Sequence, residues 1–134
     1  MAADGLVTLR SAHSPADTVA RLEAEIKARG MTLFADIDHA AGAAAVGLPL
    51  APTEVIIFGN ATGGTPLMQS VQTIGIDLPL KVLVWQDAAG DTWVSYNDPG
   101  WLAKRHGAGR DVETTVGTLA NVLATLTTAA TAPT

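Results

Sequence analysis

The period of apolar and polar positions changes several times along the chain, and each change marks an element. Leu6-Val7-Thr8-Leu9 predicts a first strand within 6–12. Val19, Leu22 and Ile26 then recur at helical spacing behind Ser14-Pro15-Ala16-Asp17. A serine hydroxyl suits the free N–H groups of a first turn, proline suits the first helical position, and an early aspartate suits the helix dipole. The pattern predicts a helix over 15–29 with Gly30 as its C-terminal cap. Period two returns over 32–38, with Leu33, Ala35 and Ile37 on one face and Phe34, Asp36 and Asp38 on the other. An Ala-rich stretch, 40–47, predicts a short helix, and Leu48-Pro49-Leu50-Ala51-Pro52 must be extended or turned.

Strand three, Glu54-Val55-Ile56-Ile57-Phe58, is β-branched and nearly continuous, which predicts an interior position. A loop, 59–64, leads to Thr65-Pro66, which predicts a helix start by the logic of Ser14-Pro15. Strands over 80–86 and 92–96 flank an Asp- and Gly-containing hairpin loop. A short helix over 101–106 precedes a final helix capped by Asp111, with Val112, Val116, Leu119, Leu123 and Leu126 on one stripe. The fold class expected is α+β. It is a single domain over 1–134, a mostly antiparallel five-stranded sheet with a β-α-β start, helices packed on it and a C-terminal helix. Fraying is expected over 1–5 and 128–134.

Composition narrows the function classes. A chain of 134 residues can bury roughly two-thirds of its unfolded surface, so folding without metal or disulfide is expected. Its 48% hydrophobic residues and 16% charged residues suit a globular core. A net charge of −5, with Lys104-Arg105-His106 as the densest basic stretch, argues against nucleic-acid binding, which requires clustered positive charge. The absence of cysteine removes thiolate catalysis and Cys-based zinc sites. The first five residues lack the basic and apolar regions of a secretion signal, and no apolar run approaches the ~18 residues of a membrane span. The expectation is a cytoplasmic protein with no membrane partner.

Asp36-Ile37-Asp38-His39-Ala40, Phe58-Gly59-Asn60, Gly64-Thr65-Pro66-Leu67-Met68, Asp77-Leu78-Pro79-Leu80-Lys81 and Tyr96-Asn97-Asp98-Pro99 follow one another in register. Together they resemble the domain-of-unknown-function 302 family from about Leu6 to the last helix. The resemblance implies a compact α+β fold and dimerisation, and no reaction. Family members often carry proline after the Phe-Gly-Asn motif, where this chain has Ala61 and so lacks that restraint on φ.

Candidate chemistry concentrates in three places. Asp38 and His39 could act as acid and base or as metal ligands, although a regular strand points them to opposite faces. The plainer reading makes Asp38 a helix cap and lets His39 bond nearby backbone. The glycine loop 59–64 opens a helix and could present N–H groups to an anion, but it matches neither the Walker motif nor the dinucleotide fingerprint. Lys81 lies in line with Leu83 and Trp85, and Trp93, Tyr96 and Trp101 suggest an aromatic group.

The function expected is therefore a small-molecule-binding module, a homodimer, with no cofactor. Its site would be formed by Asp38, His39, Asn60, Gly64, Thr65 and Lys81. An enzyme using Asp38 or His39 for proton transfer is one alternative, and an interaction or scaffold protein without a pocket is another. The shared site requires strands two and three to run parallel, or to be separated by another strand running the same way, and the roughly 15-residue connection between them is long enough for such a crossover.

Overall fold

Strands β1 (Leu6–Arg10) and β2 (Thr32–Asp38) run in the same direction at opposite edges of one sheet, and helix α1 (Pro15–Ala28) spans the distance between them. The computed structural model describes residues 3–134; Met1 and Ala2, part of the stretches weighed above for a signal and for fraying, lie outside the described residues. β3 (Thr53–Gly59), β4 (Leu80–Gln86) and β5 (Thr92–Asn97) complete a sheet of order β1-β5-β4-β3-β2, antiparallel at every pairing. Helices α2 (His39–Ala45), α3 (Ala61–Ser70), α4 (Pro99–Arg105) and α5 (Glu113–Thr131) finish the α+β fold that the patterning predicted.

Alternation decides which face of the sheet is covered. Val82 and Val84 of β4, Ile56 and Phe58 of β3 and Val94 of β5 point to one side, each at most 1% exposed. Against them α1 lays Val19, Leu22 and Ile26, and α5 lays Leu119, Leu123 and Leu126. The caps of α1 are those read from the sequence. Ser14 Oγ accepts from the Asp17 amide at 3.1 Å, and Gly30, with φ +71°, donates its N–H to the Lys27 carbonyl at 3.0 Å.

Four local expectations are corrected. A β-bulge at Phe34 breaks the alternation of β2, so Leu33 pairs with Phe58 on the covered side while Ile37 pairs with Val55 on the other. Asp36, opposite Ile56, is thereby carried to the covered side, toward α1. Asp111 does not cap the last helix; it lies in a short 3-10 turn, Arg110–Val112, and α5 begins at Glu113 without a side-chain cap. Trp93, Tyr96 and Trp101 form no single group. Trp93 stacks on Trp85 with ring centroids 6.2 Å apart, Tyr96 faces the core, and Trp101 lies over Gly5, where a Cβ would fall 2.3 Å from its ring.

The last correction concerns the C-terminal tail. Instead of fraying after Thr127, α5 continues to Thr131, and Ala130 is fully buried. Thr127 and Thr131 return their hydroxyls to the carbonyls of Leu123 and Thr127, each at 2.7 Å. The helix's last free carbonyls are taken up from α1 and the segment before it: Arg21 donates to Ala129 and Ala130 at 3.1 and 3.2 Å, and His13 Nε2 meets the Ala132 carbonyl at 2.7 Å. Arg21→Ala is expected to cost about 1 kcal/mol and to speed amide exchange in the final turn of α5. Unchanged exchange there would show that the carbonyls do not need the guanidinium.

Among the described residues, no helix layer covers the opposite face of the sheet. Leu6 and Ile37 are 38% and 43% exposed on it, beside the Trp85–Trp93 stack. Trp85 Nε1 donates to Ser95 Oγ at 2.9 Å, and Ser95 in turn meets Thr8 Oγ1 at 2.9 Å.

Candidate functional site

Where β3 ends, Asn60 Oδ1 accepts the Gly63 amide at 2.7 Å and starts α3. The helix therefore begins at Ala61, and the Thr65-Pro66 pair read as its start lies inside it. A side-chain amide capped the helix earlier than the Thr-Pro signal suggested. The glycines take part in packing as well as in turning. A Cβ on Gly63 would sit 3.3 Å from Leu119 Cδ2, so its absence lets α3 approach α5. A Cβ on Gly64 would make only ordinary contacts, 3.6 Å to Leu78 and 3.8 Å to Met68.

Beneath this start lies a cleft of about 420 Å³. Its walls are mostly apolar: Met31 and Phe34 before and on β2, Met68 on α3, Leu78 ahead of β4, and Leu119 and Val122 on α5. Asn60, Thr65 and Thr118 supply the polar side chains, and no titratable side chain is among the lining residues. Of the residues singled out in the sequence, Asn60, Gly64 and Thr65 line this cleft.

Asp38, His39 and Lys81 do not. β2 and β3 are antiparallel neighbours, so Asp38 pairs with Glu54 at the start of β3 while Thr32 pairs with Gly59 at its end. The shared site that required parallel strands is not formed. The long connection is a wide arch through α2 and the prolines, not a crossover. Asp38 caps α2, its Oδ1 accepting from the Ala41 amide at 2.9 Å. His39 and Lys81 line a separate groove of about 470 Å³ on the uncovered sheet face, with Leu83 and Trp85. Lys81 Nζ donates to the carbonyls of Pro79 and Asp77 at 3.1 and 3.3 Å; burial pulls its pKa below the ordinary lysine value, against the charge of Asp77.

A patch of carboxylates forms on the covered side near the β2 edge. Glu23 of α1 and Glu54 of β3 are each pushed up to about 7, first by a hydrogen bond to Asp36, then by burial and the charge of Asp36. Among the described residues, no group of three or more His, Cys, Asp or Glu side chains is placed to hold a metal ion.

A second polar cluster went unnoticed in the sequence. Asp77 ends a 3-10 helix, Gln72–Asp77, and receives Arg105 Nη1 at 2.9 and 2.8 Å and His106 Nε2 at 2.5 Å. His106 Nδ1 meets Thr73 Oγ1 at 3.0 Å. Burial opposes ionisation of Asp77, but the His106 bond and the Arg105 charge outweigh it and hold the carboxyl below the usual range. The partners are 28–33 residues apart, and no local periodicity joins them.

Comparison with known proteins gives both a family and longer relatives. Residues 7–126 match the family described as "Domain of unknown function DUF302". Two proteins named "Fluoride-specific ion channel FluC 1", from Brucella suis biovar 1 (strain 1330) and Brucella abortus biovar 1 (strain 9-941), are each 47% identical over 123 residues. The match takes in 92% of this chain but 48% and 46% of theirs, so the chain spans about half the length of these curated relatives. A solved structure, "uncharacterized conserved protein DUF302 from Bacillus stearothermophilus", superposes with a TM-score of 0.81 at 19% identity, covering 92% of this chain and 96% of that one, and shares the fold.

Proposed function

Because this chain belongs to the family of domain of unknown function DUF302, whose description assigns no reaction, we infer its function from the site and propose that it binds a small, neutral, mainly apolar molecule in the cleft beneath α3. The observation that carries this reading is the cleft of about 420 Å³ with apolar walls and no titratable lining side chain. That volume lies within the range of ordinary ligand sites, roughly 300–1,000 Å³. A charged ligand would lose its hydration there without gaining a partner. Met31 and Met68 adapt their shape to what enters, and Asn60, Thr65 and Thr118 offer orientation through hydrogen bonds.

The test uses N-phenyl-1-naphthylamine, a neutral apolar dye that brightens on leaving water. The wild-type protein is expected to bind it with a micromolar Kd. Thr118→Trp, at an exposed α5 position on the cleft wall, is expected to weaken binding at least tenfold while leaving Tm unchanged. No binding by wild type, or equal binding by Thr118→Trp, would remove the cleft as the site.

The same proposal includes self-association across the uncovered sheet face. In a chain of net charge −5 the strand positions of this face carry no carboxylate, while Leu6, Ile37 and the Trp85–Trp93 stack lie on it. Aromatic anchors are enriched in interface cores, and the charges nearby are satisfied within the chain, Arg10 by Asp91 at 2.8 Å and Asp87 by the Trp93 indole N–H at 2.8 Å. A monomer mass in sedimentation at tens of micromolar would defeat this part.

A second reading comes from the Brucella relatives. Nearly the whole length of this chain matches about half of each channel-named protein, which supports an accessory module acting beside a fluoride channel. No helix among the described residues is long and apolar enough to cross a membrane, and in this reading the pore belongs to the relatives' other half. Deleting the matching half of the Brucella suis protein should then change its fluoride conductance or its regulation. Unaltered conductance and regulation would dismiss the idea.

A further inference from the structure

A hydroxyl, an imidazole and a carboxylate line up ahead of β4. Thr73 Oγ1 lies 3.0 Å from His106 Nδ1, and His106 Nε2 lies 2.5 Å from Asp77 Oδ2. The imidazole is 9% exposed, whereas Thr73 is exposed. Arg105 grips both Asp77 oxygens and fixes the direction of the carboxylate. An ionised carboxylate only accepts, so it draws the imidazole proton to Nε2 and leaves Nδ1 as the acceptor for the Thr73 hydroxyl. That is the polarity of a nucleophile, its base and the base's orienting acid.

A structural tie between the 3-10 helix and the end of α4 would need only the Asp77 bonds. The Thr73 bond adds an accessible hydroxyl at the end of the chain of partners. Ile76 follows Thr73 by one 3-10 turn, which sets the two side by side. At 77% exposed it is the most exposed large apolar residue described, and it offers a contact for an acyl group.

We propose that Thr73, His106 and Asp77 form an acyl-transfer centre that takes acyl groups from activated esters onto the Thr73 hydroxyl. Thr73 Oγ1 bonds to the ester carbonyl carbon while its proton passes to His106 Nδ1. The tetrahedral adduct then breaks its bond to the leaving oxygen, which takes that proton and departs as the alcohol. Water repeats the sequence on the acyl-threonine, giving its proton to Nδ1 and releasing the carboxylic acid and the restored hydroxyl. Atoms balance with water as the only co-reactant, and no electrons change hands. Asp77 acts through His106 and is a positioning residue.

The experiment incubates the full chain with p-nitrophenyl acetate and follows nitrophenolate release together with the mass of the Thr73 peptide. The expected result is release above that of free imidazole at the same concentration, with one acetyl group on Thr73. Thr73→Ala and His106→Gln should each lose at least tenfold, and Thr73→Ser should keep the activity. The acetyl group should be absent from the peptide of Thr73→Ala, a difference that a merely structural bond would not produce. Because Thr73 is exposed, an unchanged Tm in Thr73→Ala separates chemistry from folding. Wild-type release no faster than free imidazole, wild-type activity in Thr73→Ala, or acetyl found on lysine and not on Thr73 would each overturn the proposal. None of these outcomes depends on the apolar cleft, whose dye assay stands separately.

Discussion

Phe58→Ala is expected to lower the unfolding free energy by about 3–5 kcal/mol, much of the 5–15 kcal/mol typical of a domain. Phe58 is fully buried on an interior strand, with Leu33 opposite it on β2 and Leu80 on β4. Truncation removes transfer free energy and leaves a space that two paired strands cannot close without breaking their ladder. Phe58→Leu, which keeps most of the volume, should cost less than half as much. Urea unfolding of the three proteins measures both differences. A cost below about 1 kcal/mol for alanine would show that neighbouring side chains collapse into the site.

The protein should also be more stable at pH 5 than at pH 8. Glu23 and Glu54 are raised to about 7 by hydrogen bonding to Asp36, by burial and by its charge. In the unfolded chain they ionise near the ordinary glutamate value of 4.5. Between these values the folded state holds protons that the unfolded state has released, so stability is full below about 4.5 and falls as pH rises to about 7. Both groups are only partly buried, and after discounting for solvent screening the loss amounts to about 1–2 kcal/mol for the pair. Asp36→Asn removes the shared partner's charge; it should flatten the profile and raise stability at pH 8. Equal Tm at pH 5 and pH 8 in the wild type, or an unchanged slope in Asp36→Asn, would count against this account.

The sequence made the elements legible wherever a short-range signal had no competitor. Ser14-Pro15 and Gly30 bound α1 because cap chemistry is local. At α3 two local signals competed, and the Asn60 cap prevailed over Thr65-Pro66. The bulge at Phe34 left no trace in an alternation that looked regular, yet it decides that Asp36 faces α1. The antiparallel pairing of β2 with β3 is hidden for a different reason. The length of 39–52 permits a crossover without requiring one, and register is settled by tertiary burial.

Asn60, Gly64 and Thr65 stood out as loop chemistry and do line the cleft, whereas Leu119, another of its wall residues, reads in the sequence as part of an ordinary helix stripe. An apolar residue that lines a cavity has the same periodicity as one that fills a core. Thr73, Asp77 and His106 were hidden because only the packed molecule brings them within hydrogen-bond reach.

The register that seats Leu6 against Asn97 also sets an order of assembly. Translation delivers β1 first and its only partner strand last among the strands, with Thr8 waiting 87 residues for Ser95. The β4–β5 hairpin can close as soon as it leaves the ribosome, but the outermost ladder carries the entropy of closing a loop of about two-thirds of the chain. The strand synthesised earliest is thus the last to be stitched into the sheet, and under partial unfolding its edge is expected to open early.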